Sequence, residues 1–313
     1  MEPRMSLLCI GLTTLDVVAL AVPTQSFEGV RLIKALQIAP AGTAAGAALI
    51  AARLGVPTQL AGAVGADPMG RFIRAELQHA GVDVSLLETL GTAPSSSTLI
   101  SIDEAGNRMI FHAPGAGPLM PLSAALSAAA NSVGAVHYAG IGAHHLDGHA
   151  QGLLEAARAH GALTTCDLIA PGPQASAELR RILPHIDVFM PSAIEARFVT
   201  GETDLPRAAR MLRDWGAAAV VIKNGAHGAV ALDKAGGIDV VPAVAVKQIV
   251  DTTSCGDSFC AGFIAATLRG SPWLEALNFA AATASLVAQG PATLGLLESY
   301  GQVEGIALEA QTA

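Results

Sequence analysis

The residues best placed to do chemistry lie in one string, Asp251-Thr-Thr253-Ser254-Cys255-Gly256-Asp257-Ser-Phe259-Cys260-Ala-Gly-Phe263. Small residues at 254–256 leave the backbone amides approachable. Phe259, Phe263, Ile264 and Leu268 then recur at helical spacing, so a helix is expected directly after the loop. A loop entering a helix N-terminus offers unpaired N–H groups and the positive end of the helix dipole, which suits an anion. Thr253, Ser254 and Asp257 can each cap that first turn through a short side-chain oxygen. An aspartate at a helix start is most often such a cap. A carboxylate inside an anion site, however, repels a phosphate. Asp257 makes better sense as a base that takes the proton of a hydroxyl attacking a bound phosphoryl group.

The elements that must hold this loop follow an alternating rhythm. Residues 240–250 alternate and are rich in β-branched side chains, predicting strands that lead into the loop. Near the other end, residues 7–12 form an apolar run through Gly11, which predicts a buried parallel strand. Asp16 lies just past it, where open α/β sheets bind ligands. It can accept hydrogen bonds from substrate hydroxyls, or simply occupy an exposed turn. Residues 17–22 and 31–38, and then 97–102 and 107–112 around Asp103-Glu-Ala-Gly106, predict two β pairs. They form either a lid over a site or an edge of the main sheet. Helices are expected at 41–54, 71–80, 149–160, 175–183, 195–199 and 206–215, with strands at 59–64, 135–139, 163–167, 188–190 and 218–223. This order predicts a mainly parallel α/β sheet with helices on both faces, undivided by a linker or repeat.

Composition bounds the function. The chain has 313 residues, 51% hydrophobic and only 14% charged, enough for a large core and against disorder. A net charge of −8 without a basic run argues against a nucleic-acid partner. The apolar start is interrupted by Asp16 and reads as a strand rather than a signal peptide. No other apolar run spans a bilayer; the longest candidate is an alanine-rich helix at 279–288. Cys9, Cys166, Cys255 and Cys260 lack paired metal-ligand spacing and read as reduced thiols of a cytoplasmic protein. His144, His145, Asp147 and His149 are dense enough to suggest a metal, but no matching second half exists. Loop histidines near a pocket mouth are the alternative.

Several segments, in order, resemble the ribokinase-like (PfkB) carbohydrate kinases. They are Gly11 through Asp16, Ala41-Gly42 to Gly46, Val64-Gly65-Ala-Asp67-Pro-Met-Gly70, Met190-Pro-Ser192-Ala-Ile-Glu195, Ile222-Lys223-Asn-Gly225-Ala-His-Gly228 and the string from Asp251 to Phe263. The resemblance spans residues 9 to about 290 and rests most firmly on the segment at 64–70 and on the last string. It implies one ribokinase-like domain over 1–313, a three-layer α/β/α core with a β lid made by segments 17–38 and 97–112. It also implies an enzyme moving the γ-phosphoryl of ATP to a sugar-type hydroxyl. Asp257 would be the base, and amides at Ser254, Cys255 and Gly256 the anion hole. Asp16, Gly42 and Gly46 would meet the acceptor. Ser192, Glu195, Lys223, Gly225 and Gly228 would meet the nucleotide, Glu195 placing Mg2+ through water. Asp251 and the Thr253 carbonyl resemble potassium-site ligands, and a lid-to-lid homodimer is the family expectation.

The departures bear on substrate. Gly46 stands where the family has an asparagine that bonds the acceptor, which predicts a roomier pocket or a different acceptor. Ala41 replaces a glycine, Ser192 replaces the asparagine of Asn-x-x-Glu, and Ser254-Cys255 replaces Gly-Ala. A nucleoside kinase on the same scaffold is the enzyme alternative, against which the scarcity of aromatics (4%) argues. A non-catalytic sugar- or nucleotide-binding regulator is the alternative from another class. Pure binding has no use for the base at Asp257.

Overall fold

The computed structural model describes residues 5–22, 30, 32–103, 107–121, 123–141 and 148–312. The first half runs β1 (Leu7–Gly11), β2 (Thr14–Leu20), β3 (Ala35–Ala41), α1 (Thr43–Arg53), β4 (Thr58–Gly65), α2 (Pro68–His79), β5 (Asp83–Leu90), β6 (Ser97–Ile102), β7 (Arg108–Ala113), α3 (Ala124–Ala130) and β8 (Ala135–Ile141). The second continues with α4 (Gly148–Ala159), β9 (Leu163–Leu168), α5 (Ala175–Ile182), β10 (Val188–Phe189), α6 (Ala193–Thr200), α7 (Leu205–Asp214) and β11 (Ala219–Lys223). It closes with β12 (Ala229–Leu232), β13 (Ile238–Val241), α8 (Cys255–Leu268), α9 (Trp273–Ala288) and α10 (Tyr300–Thr312).

The main sheet has the order β13-β12-β11-β10-β9-β8-β1-β4-β5. It is parallel from β5 to β11, and β12 and β13 add antiparallel at one edge. The period-2 geometry of β1 shows why helices cover both faces. Leu7 and Cys9 enter a core with α1, α8 and α9, while Leu8 and Ile10 enter a second core with α4, α5 and α7. Gly262 lets α8 and α9 come together: a Cβ there would stand 2.5 Å from Thr283 Oγ1. The second sheet, β3-β2-β6-β7, is the expected small β unit. Its hairpin between β6 and β7 is pinned by Asp103, which accepts from the Asn107 backbone at 2.8 Å and side chain at 2.9 Å.

Some expectations are corrected. The strands expected through 250 stop at Val241, because Pro242 has no N–H for a ladder and most of the residues that follow are exposed. The alanine-rich helix at 279–288 is the second half of α9, which starts at Trp273 after Pro272. β5, α3, β12 and α10 are additions to the expected order. β2 begins at Thr14, so Asp16 sits within a strand of the small sheet and not on a turn beyond β1. Most of the histidine-rich stretch lies outside the described residues. No helix among the described residues is long and apolar enough to cross a membrane.

Candidate active site

α8 starts from an unusual residue. Its N-cap, Ser254, is in the left-handed region (φ 57, ψ 7) and makes no side-chain cap bond. None of the three expected caps closes the turn. Thr253 bonds Asp251 Oδ1 instead, through its amide at 2.8 Å and its hydroxyl at 2.6 Å. Of the first-turn amides, which no carbonyl inside the helix can reach, Cys255 N–H makes a long bond to the Thr252 carbonyl at 3.4 Å, and those after it suit a ligand. A left-handed non-glycine residue costs roughly 1 kcal/mol or more, and such strain persists where the surroundings impose it. Here the Ser254 hydroxyl and the Asp257 carboxylate share the space beside Gly46, and the hydroxyl favours the ionised carboxylate.

Asp257 lies in that first turn, between α1 and the ends of the central strands. Gly46 of α1 faces it: a Cβ at 46 would stand 2.9 Å from Asp257 Oδ2 and 3.4 Å from Ser254 Oγ. The space beside Gly46 is thus taken by the carboxylate itself. On the other side Lys223, at the end of β11, places Nζ 3.4 Å from the Gly256 carbonyl and 3.4 Å from Cys260 Sγ. The same ammonium is 4.0 Å from Asp167 Oδ2 at the end of β9. Burial first, and then the Asp167 charge, hold the Asp257 carboxyl above the usual range, against Lys223 and the Ser254 hydroxyl. Burial alone would weaken the Lys223 ammonium, but Cys260 and the carboxylates of Asp167, Glu195 and Asp257 hold it above its ordinary value.

The small sheet supplies the facing wall. Register sets Asp16, Thr98 and His112 side by side across β2, β6 and β7. Thr98 Oγ1 lies 3.1 Å from His112 Nδ1 and 3.3 Å from Thr14 Oγ1. Asp16 is buried, and its Oδ1 has no hydrogen-bond partner among the described residues. Burial pushes its carboxyl up to about 6, against the neighbouring Thr98 and Thr14 hydroxyls. The hydroxyls of Thr13, beside Gly62 of β4, and of Thr43, next to Gly42, are likewise buried without partners among the described residues. Gly42 itself (φ 93) is required by close backbone approach, since a Cβ would stand 2.6 Å from the Leu12 carbonyl.

The Ser192–Glu195 pair forms a capping box at the start of α6. Ser192 N–H donates to Glu195 Oε2 at 2.7 Å, and Glu195 N–H to Ser192 Oγ at 3.3 Å. A parallel bridge from Ser192 to Lys223 ties this helix start to the end of β11. Burial raises the Glu195 carboxyl, with Lys223 and Ser192 working against it. In the next turn Gly228 (φ 79) is locked by backbone, a Cβ there standing 1.9 Å from the Val241 carbonyl. Gly225 (φ 55) has open space around its missing Cβ. Asp251 is 2% exposed and bonds Thr253 and the Ala292 amide (3.1 Å). No Lys, Arg or His among the described residues pairs with it.

Sequence reading missed Asp167, His137 and Cys260, which come from separate elements. Their donor atoms lie within 4.8 Å of one another and all three are buried. His137 Nδ1 meets Thr165 Oγ1 at 2.9 Å, its Nε2 has no partner among the described residues, and burial followed by Lys223 pushes it down to about 3. The Lys223 ammonium already supplies a cation to Asp167 and Cys260. The cluster is therefore the inner wall behind Asp257 rather than a metal centre.

Comparison with known proteins finds relatives among sugar and nucleoside kinases. A nucleoside kinase from Methanothermobacter thermautotrophicus is 26% identical over 96% of this chain and 95% of its own. A ribokinase from Haemophilus influenzae is 26% identical over 80% and 81%, and a cytidine kinase from Thermococcus kodakarensis is 39% identical over 32% and 36%. The fold superposes on Arabidopsis thaliana ribokinase complexed with ribose and ATP with a TM-score of 0.82, at 23% identity over 98% and 99% of the chains. It also superposes on an E. coli protein described as a ribokinase II in complex with ATP and Mg2+, with a TM-score of 0.81, at 20% identity over 97% and 99%. The pfkB family carbohydrate kinase pattern matches residues 4–298, and this chain, with its carboxylate at an uncapped helix start beneath a small β-sheet, belongs to that family.

Proposed function

We propose that this enzyme transfers the γ-phosphoryl of ATP to a hydroxyl of a sugar or sugar derivative. One observation carries the reading: Asp257 stands at an uncapped helix N-terminus, within electrostatic reach of the buried and unsatisfied Asp16. An acceptor hydroxyl donates to Asp16 Oδ1, which orients the sugar beneath the small sheet. A second hydroxyl gives its proton to Asp257 as its oxygen attacks phosphorus. Amides at Ser254, Cys255 and Gly256 meet the charge on the transferring oxygens; losing one such donor costs about 3 kcal/mol. The Gly225–Gly228 turn and Ser192 line the nucleotide side.

Glu195 fits a metal held through water, being a half-buried carboxylate fixed by its capping box. Bound Mg2+ would offset phosphate charge there. Asp251 fits a monovalent cation, since a buried carboxylate among neutral donors lacks a countercharge. We place the enzyme in the cytoplasm, in keeping with its four unpaired cysteines. It acts on a small molecule, with the whole chain forming one kinase unit under its lid. The similarity to cytidine and nucleoside kinases supports a nucleoside acceptor as the second reading.

An ADP-release screen over sugars, sugar phosphates and nucleosides, with MgATP in K+ and in Na+ buffers, tests this. Release with a sugar is expected, K+ raising the rate. Asp257→Asn should lower turnover by about 10²–10⁴-fold while MgATP still binds. Near-normal turnover in that variant would remove Asp257 as the base. Thermal stabilisation by sugars without any ADP release would make the protein a regulator.

A further inference from the structure

The surroundings of Asp257 pose a problem that the anion hole does not answer. A base must be a carboxylate before it can take a proton, yet Asp257 is half-buried and feels the charges of two other carboxylates, Asp167 and Asp16. Both favour its protonated form. The groups that face it from neighbouring elements are Asp16 on β2, Cys9 on β1, Asp167 on β9 and Lys223 on β11, with Cys255 and Cys260 on its own helix. Burial keeps all three thiols protonated, Cys255 and Cys260 being pushed up to about 12. Lys223 is thus the one cation in the set.

Its geometry is directed inward. An ammonium has three donors. Two Lys223 contacts run along one face of α8, to the Gly256 carbonyl at 3.4 Å and to Cys260 Sγ one turn later at 3.4 Å. The third partner is Asp167, 4.0 Å away, 2% exposed against 12% for the lysine side chain. A Cβ on Gly256 would stand 3.3 Å from Nζ, so the glycine just before Asp257 also makes room for the amine. With so little water, these charges act at short range and largely unscreened.

We propose that Lys223 and Asp167 are positioning residues for the Asp257 base: the ammonium, anchored by Asp167 under the first turn of α8, favours the ionised form of Asp257 against its other neighbours. The role given to Asp257 is taken from the reaction proposed above. Lys223 then serves the base from behind and is not spent on the ATP phosphates. Asp167 does two things at once, fixing the lysine and tempering its effect. The two residues therefore act on Asp257 in opposite senses, which a merely structural pair would not do.

The test is a 13C NMR pH titration of aspartate carboxyls in the full-length protein, with the Asp257 signal assigned by its loss in Asp257→Asn. Lys223→Met should move the Asp257 midpoint up by about one pH unit or more, and Asp167→Asn should move it down. Lys223→Arg, which keeps the charge, should stay close to wild type. MgATP affinity, read by calorimetry, should change less than about threefold in Lys223→Met, a shift under about 0.7 kcal/mol by the usual constant. Unmoved or same-direction midpoints would overturn the proposal, as would a large loss of MgATP affinity with an unmoved midpoint. If Lys223→Met does not fold, the Asp167→Asn and Lys223→Arg titrations decide alone. Failure of the base assignment itself would look different, as turnover surviving in Asp257→Asn whatever the titrations give.

Discussion

Asp16 is held in a state that costs stability until a ligand arrives. Its carboxyl is 6% exposed, Oδ1 is unsatisfied among the described residues, and burial raises it from 3.8 to about 6. A raised carboxyl favours the fold below its unfolded value near 3.8, and that advantage is lost as pH rises through about 6. At pH 8 the ionised group therefore weighs against the fold by about 3 kcal/mol. Asp16→Asn should melt higher than wild type at pH 8, with the gap closing toward pH 4 in scanning calorimetry. The same variant should raise the acceptor KM about 10–100-fold, because a hydrogen bond to a charged group is lost. A variant that melts lower at pH 8 would show that Asp16 supports the fold instead.

At the scale of elements, the start of α6 links stability to nucleotide binding. Ser192 and Glu195 close a capping box, and the bridge to Lys223 joins that box to the strand behind Asp257. Ser192→Ala should cost about 1 kcal/mol of stability in denaturant titration. Its KM for MgATP should rise as well, since Glu195 loses the partner that orients it. An unchanged midpoint would mean that solvent replaces the cap at no cost. A helix here was legible from its local pattern, although it was expected from 195 and begins at Ala193, behind the Ser192 cap. α8 was legible for the same reason, its small residues and apolar spacing being contiguous. The inner wall was not, because His137, Asp167, Lys223 and Cys260 are brought together by the order of β8, β9, β11 and α8. The place of Gly46 was hidden likewise: only the packing of α1 against α8 sets the missing Cβ beside Asp257.

Across the whole molecule, the small sheet has two unlike faces. One carries Asp16, Thr98 and His112 toward the site. On the other, register groups Val17, Ile38, Leu99 and Phe111, with Leu36 and Met109 two residues along their strands. Leu36, Ile38, Leu99, Met109 and Phe111 are all exposed, and every residue of the edge strand β7 is exposed too. An apolar sheet face beside an edge that is unpaired among the described residues is a liability that a partner surface resolves. A second copy suits it, because each lid can then cover the other's apolar face by the same contacts, as two-fold symmetry requires. We propose such a lid-to-lid dimer, which light scattering should show at micromolar concentration. Phe111→Arg should shift it to monomer, since a charge replaces a large apolar contact at the centre of the patch. If the dimer braces the lid, the monomer's acceptor KM should rise while its MgATP affinity stays the same, because Asp16 and His112 ride on the lid whereas Ser192, Gly225 and Gly228 belong to the core. A wild-type chain that stays monomeric would leave the apolar face unexplained by self-association, and equal acceptor KM values in monomer and dimer would separate assembly from catalysis.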